Sequence, residues 1–147
     1  MIACVGNLFN SDDGFGSLVA TQLAKSNLPQ NVVIIDFGIR ARDLSYELLN
    51  EWQTVIIVDA ASRGGNPGTL LVIEPEDISN GEAAEHGHSM NPLAAIEHAV
   101  KMGAKFDKLL VVACEPENLA EGIGLSPSVE LAIPKAVSLI RTLIAQK

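Results

Sequence analysis

The residues of this chain best suited to chemistry are carboxylates that follow apolar runs. Asp12 and Asp13 come after Ile2–Val5, Asp36 after Val32–Ile35, Asp59 after Val55–Val58, and Glu115 after Leu109–Val112. If those runs are parallel strands, their exits share one rim, where ligands of such sheets bind. Several acids on one edge repel one another unless a cation or a hydrogen-bond donor joins them. His88, with His86 two residues before it, lies in the stretch after Leu70–Ile73. Asp13, Asp59 and His88 make an O,O,N set with open positions, which borderline divalent metals such as nickel or zinc accept. His86 competes with His88 for that place, and His98 reads as a surface residue.

The segment Gly6–Gly16, GNLFNSDDGFG, is the most informative. Gly6 suits a tight turn at a strand exit, and Gly14 and Gly16 permit close backbone approach at a helix start. Two adjacent acids cannot both cap that helix. Asp12 is expected to cap it, which turns Asp13 toward the crevice. No Gly-Lys-Ser/Thr or G-x-G-x-x-G phosphate-binding pattern occurs, nor does H-E-x-x-H or a Ser-His-Asp or Cys-His arrangement. Cys4 and Cys114 sit inside apolar runs, where free buried thiols are expected rather than a nucleophile or a disulfide. A metal-dependent step is expected instead: a carboxylate activates water, with Asp36 and Asp13 the candidates, or the metal polarises the carbonyl.

The elements that would hold these groups alternate. Strand-like Ile2–Val5 is followed by a helical segment, Gly14 to Ser26, with Phe15, Leu18, Val19 and Leu23 on one face. Val32–Ile35 precedes a short helix marked by Leu44, Leu48 and Leu49, with Asp43 near its start. Val55–Val58 has the continuous β-branched character of a strand covered on both faces. Leu70–Ile73 follows too closely for a crossover, which predicts antiparallel pairing at the sheet edge. Glu74 to Ser89 reads as a long acidic surface loop. Asn91 and Pro92 open a helix that Gly103 closes. Ser126 and Pro127 open another reaching about Ala145, with a kink expected at Pro134. The pattern predicts a single domain over residues 1–147. Its fold class is α/β, a three-layer α/β/α sandwich with a mostly parallel twisted sheet and one antiparallel edge strand.

Composition narrows the partners. Apolar residues are 48% of the 147, enough for a real core, while aromatics are only 4%, so that core must be aliphatic. A net charge of −8 disfavours nucleic acid and anionic membranes, but suits a cationic peptide or a metal ion. No secretory signal and no membrane-spanning run are evident, so a cytoplasmic protein is expected.

Taken in order, these motifs resemble the hydrogenase maturation endopeptidases. The likeness rests on Gly6-Asn7, Asp12-Asp13-Gly14-Phe15-Gly16, Val58-Asp59-Ala60, His88-Ser89-Met90 before a helix, and Glu115-Pro116-Glu117 leading to Gly122-Ile123-Gly124-Leu125-Ser126. It covers nearly the whole chain. Each motif is weak alone, and their succession is specific. The resemblance implies an endopeptidase that removes the C-terminal extension of a [NiFe] hydrogenase large-subunit precursor after nickel insertion. It implies that the metal-binding trio is Asp13, Asp59 and His88. The nickel would be carried by the substrate, with no tightly bound resident cofactor, and a monomer is expected. One departure stands out: many relatives carry Asp-Gly-Gly-Thr where this chain has Asp36-Phe37-Gly38-Ile39. The acid is kept while a glycine and a hydroxyl are lost.

Other classes also fit part of the pattern. A metal-dependent hydrolase of small amides would bind zinc tightly on its own. A phosphoacceptor receiver domain would need a lysine after the last strand, where Glu115-Pro116 stands.

Overall fold

Aliphatic runs too short to cross a domain as helices pair instead as strands. In the computed structural model these are β1 (Ile2–Val5), β2 (Ile34–Gly38), β3 (Thr54–Ala60), β4 (Leu70–Ile73) and β5 (Lys108–Cys114). The structure describes residues 1–74 and 91–146. The strands form one sheet in the order β2-β1-β3-β5-β4. β1, β2, β3 and β5 are parallel, and β4 runs antiparallel against β5 at the edge, Leu70 opposite Cys114 and Ile73 opposite Val111. The expected fold class and the antiparallel edge strand are both present.

Period-two alternation divides the core between two faces. Ile2, Cys4, Ile56, Val58, Leu110 and Val112 face α1 (Phe15–Ala24) and α4 (Pro127–Ala145). Ala3, Val5, Val55, Ile57, Val111 and Ala113 face α2 (Ala41–Glu47) and α3 (Pro92–Lys101). The Ser45 hydroxyl donates to the Ala95 carbonyl at 3.1 Å, stitching α2 to α3. Phe15 and Leu23 are wholly buried under α1, each contributing about 1.5–3 kcal/mol by leaving water.

Local chemistry sets the element ends. The Asn91 side chain accepts from the Leu93 N–H at 3.0 Å, and Gly103, at φ +104°, lies just beyond α3; both expected caps are there. β2 begins and ends later than the apolar run Val32–Ile35 suggests. Val32 is drawn into a turn by its N–H to the Pro29 carbonyl, while Gly6 donates to the Gly38 carbonyl and extends pairing past Asp36. Asp36 thus lies within the strand, not after it. α4 continues through Pro134 as one 19-residue helix. The Ser126 hydroxyl, expected to cap α4, makes no capping bond and is used elsewhere. Among the described residues no helix is long and apolar enough to cross a membrane.

The order 2-1-3-5-4 places the sheet's switch point between β1 and β3: the chain leaves β1 toward one edge and returns through β3 toward the other. The crevice at their carboxyl ends is where this architecture puts ligands.

Candidate active site

Backbone contact shapes that crevice before any side chain enters it. A Cβ at Gly16 would collide with the carbonyl oxygens of Val5 and Val58, so only glycine lets α1 sit on the ends of β1 and β3. Gly6, at φ +149°, turns the chain out of β1, and a Cβ there would strike the Asp13 carbonyl. Residues Ser11–Gly14 then form a short 3-10 turn that leads into α1.

The two adjacent acids of that turn part company, though not as the sequence suggests. Asp12 caps neither the turn nor α1. It is fully buried, and its carboxylate reaches across to the loop between β5 and α4. It accepts from the Glu117 and Asn118 N–H groups at 2.9 Å each, from the Ser126 N–H at 2.7 Å and from the Ser126 hydroxyl at 2.8 Å. Burial alone would raise its pKa, but these bonds outweigh burial and the group sits below its ordinary value. Asp12 is thus a tie between distant loops. Sequence reasoning missed this because its partners lie 105 to 114 residues away.

Asp13 faces the other way. Its Oδ2 accepts from the Asn7 N–H at 3.2 Å, which holds the side chain at the exit of β1. Asp59, at the end of β3, accepts from the Ala60 N–H at 2.8 Å. Burial, then the charge of Asp13, push the Asp59 carboxyl well above the usual carboxylate range, against the pull of the Ala60 N–H. Two of the expected metal ligands are therefore brought within electrostatic reach at the switch point. His88 and His86 lie outside the described residues, as does most of the expected acidic loop. Among the described residues no group of three or more His, Cys, Asp or Glu side chains could hold a metal. Asp13 and Asp59 would need a third donor from elsewhere.

The remaining acids are placed differently. Glu115 is buried, and its carboxylate accepts from the Arg63 N–H at 2.7 Å and the Gly64 N–H at 3.3 Å. Like Asp12, it uses backbone donors to escape repulsion, and it anchors the loop after Asp59. Asp36 pairs in register with Cys4 and so points to the α1 side, where its Oδ1 accepts from the Ser17 hydroxyl at 2.8 Å and the Gly38 N–H at 3.0 Å. Alternation turns Asp59 to the opposite face. Asp36 is exposed in a groove of about 310 Å3 walled by Leu8, Phe9 and Ile39. The expected rim of acids thus resolves into two structural ties, one electrostatic pair and one carboxylate in a neighbouring groove. His98 is exposed, as expected, and both cysteines are buried and free.

The description hydrogenase maturation protease belongs to a family model that matches residues 18–143. The chain belongs to the hydrogenase maturation protease family. That match contains Asp36 and Asp59, and starts shortly after Asp13. The chain is 31% identical to coenzyme F420 hydrogenase subunit delta of Methanothermobacter thermautotrophicus, over 95% of this chain and 90% of that protein. It is 27% identical to the hydrogenase 2 maturation protease of Escherichia coli, over 95% and 87%. The solved structure of the hydrogenase maturating endopeptidase HybD from E. coli superposes with a TM-score of 0.87, at 26% identity, covering 99% of this chain and 91% of that one. The family is one of endopeptidases, and the crevice of this member is built as the fold's ligand-binding rule requires.

Proposed function

We propose that this chain removes the C-terminal extension of a [NiFe] hydrogenase large-subunit precursor and does so only once nickel is in place. The observation that carries this reading is the Asp13–Asp59 pair at the switch point. Two acids held this close resist joint ionisation, and a divalent cation is the natural relief for such a pair. In this reading the nickel arrives as part of the substrate. Asp13 and Asp59 grip it with His88 as the nitrogen donor, and His86 is the alternative donor. Docking the metal clamps the tail in the crevice, which makes cleavage effectively intramolecular. No tightly bound resident cofactor is needed.

Asp36 is the carboxylate we assign to water. Ser17 and Gly38 fix its Oδ1, which sets the plane of the carboxyl and leaves it exposed along the groove. It takes a proton as the water oxygen bonds to the scissile carbonyl carbon. The proton passes to the amine as the C–N bond breaks. The enzyme acts as a monomer in the cytoplasm and is of the aspartic type in the sense that carboxylates carry the proton.

The test mixes purified protein with nickel-loaded and nickel-free precursor and follows the tail by mass. Cleavage of the nickel-loaded form alone is expected. Equal cleavage of both would remove nickel from the reading, and turnover of free small amides with tightly bound zinc would favour a general amide hydrolase instead.

A further inference from the structure

Large apolar side chains stand exposed along the Asp36 groove and on the Gly122 loop paired with its wall. Ile123 is 84% exposed and Phe9 67%, with Leu8 and Ile39 also exposed across the Asp36 groove. On a chain of charge −8 such a cluster marks an interaction site more often than chance exposure. The backbone beneath is firmly held. The Gly122 N–H donates to the Phe9 carbonyl at 2.7 Å and the Ser11 N–H to the Gly122 carbonyl at 2.9 Å, and Asn10 and Gly122 pair as a parallel bridge. Ser11 is held at φ +51°, a left-handed conformation costly for a residue with a side chain, and its hydroxyl donates to the Ala120 carbonyl at 2.8 Å. Asp12 lies directly below with its bonds to Glu117, Asn118 and Ser126. Two loops from opposite ends of the chain are thus stitched into one ridge that carries Phe9 and Ile123 outward.

We propose that the Phe9–Ile123 ridge docks an apolar patch on the folded body of the hydrogenase precursor, next to the root of its extension. This rests on the function proposed above and deepens it. The occupant follows from continuity. The ridge borders the crevice that receives the tail, so the protein that owns the tail must come down over it. Ordering was completed when the chain folded, so docking loses little conformational entropy and the buried apolar area counts toward affinity. The ridge thereby makes the enzyme read a folded partner rather than a tail sequence alone.

The experiment measures kcat and KM for the nickel-loaded precursor with wild type, Phe9→Ser, Ile123→Ser and the double variant. Val100→Ser serves as control: Val100 is exposed near the end of α3, at the opposite end of the sheet. Side chains of this size, when buried, lead us to expect KM to rise about tenfold for each single variant. kcat should change by less than about twofold, melting temperatures should hold, Ile123→Leu should restore KM, and the control should match wild type. Unchanged KM in both serine variants overturns the ridge while leaving the proposed function intact. A wild-type dimer that the serine variants dissociate without changing KM would assign the ridge to a second copy, and also overturns it. Failure of the wild type to cleave any nickel-loaded precursor would overturn the underlying function and the ridge with it.

Discussion

Asp13 raises the pKa of Asp59 across the gap between the ends of β1 and β3, adding to the larger effect of burial. The protein holds an acid pair in a state that costs stability at neutral pH, as functional sites commonly do. A group whose folded pKa is raised contributes stability that is full below its unfolded value, near 3.8, and that is lost as pH rises through the folded value. Asp59→Asn keeps an acceptor for the Ala60 N–H and removes the charge. We expect it to melt higher than wild type at pH 7 and to converge with it near pH 4, while cleavage of the precursor falls by about a hundredfold or more. Melting curves across that range, beside a cleavage assay, check both halves.

Asp12 behaves in the opposite sense. Its folded pKa is lowered, so its contribution is present above the unfolded value and is lost as pH falls through the folded one. Asp12→Ala strands three backbone N–H groups and a hydroxyl. It should cost about 3 kcal/mol or more at pH 7, with much of the difference from wild type gone under strongly acidic conditions. Urea unfolding at two pH values measures this. Equal stability at pH 7 would show that the two loops are not tied through this carboxylate.

The contrast between these neighbours marks where sequence reading reaches its limit. Strands were legible because Ile2–Val5 and Val55–Val58 announce burial on both faces, and the Asn91 cap because its partner is two residues away. Asp12 looked like a helix cap because its position before α1 is local information. The Ser126 donor that claims it is 114 residues distant, and nothing local signals it. Asp36 was placed after its strand because apolar character ends at Ile35, whereas backbone pairing runs on through Gly38. Asp13 and Asp59 were legible as neighbours at the crevice because strand exits at a switch point converge whatever the loops do.

Both thiols should be inert in the folded protein. Burial, then the charge of Asp36, raise Cys4, and burial together with the Asp12 and Glu115 charges brings Cys114 to about 11. Neither forms thiolate to any useful extent at pH 8. Native protein treated with a maleimide at that pH should keep its full cleavage activity and gain no mass, while protein unfolded in guanidinium should take up two labels. Rapid labelling of the native form would mean that the sheet opens locally more often than its packing allows.

Asp36 sits in the Leu8–Phe9–Ile39 groove, on the α1 side of the sheet and away from the face Asp59 takes, so the role proposed for it can be tested apart from the proposed metal recognition. Asp36→Asn retains an oxygen for the Ser17 hydroxyl and the Gly38 N–H, so stability should change by less than about 0.5 kcal/mol. If the carboxylate takes the proton from water, kcat should fall by about a hundredfold or more, with KM for the nickel-loaded precursor little changed. Ser17→Ala should give a smaller fall in kcat, because it frees the carboxyl plane without removing the base. A rise in KM at constant kcat would instead make Asp36 a binding residue for the tail, and the water would then be activated elsewhere in the crevice. Single-turnover cleavage with enzyme in saturating excess over precursor distinguishes the two, since it reads the chemical step without product release.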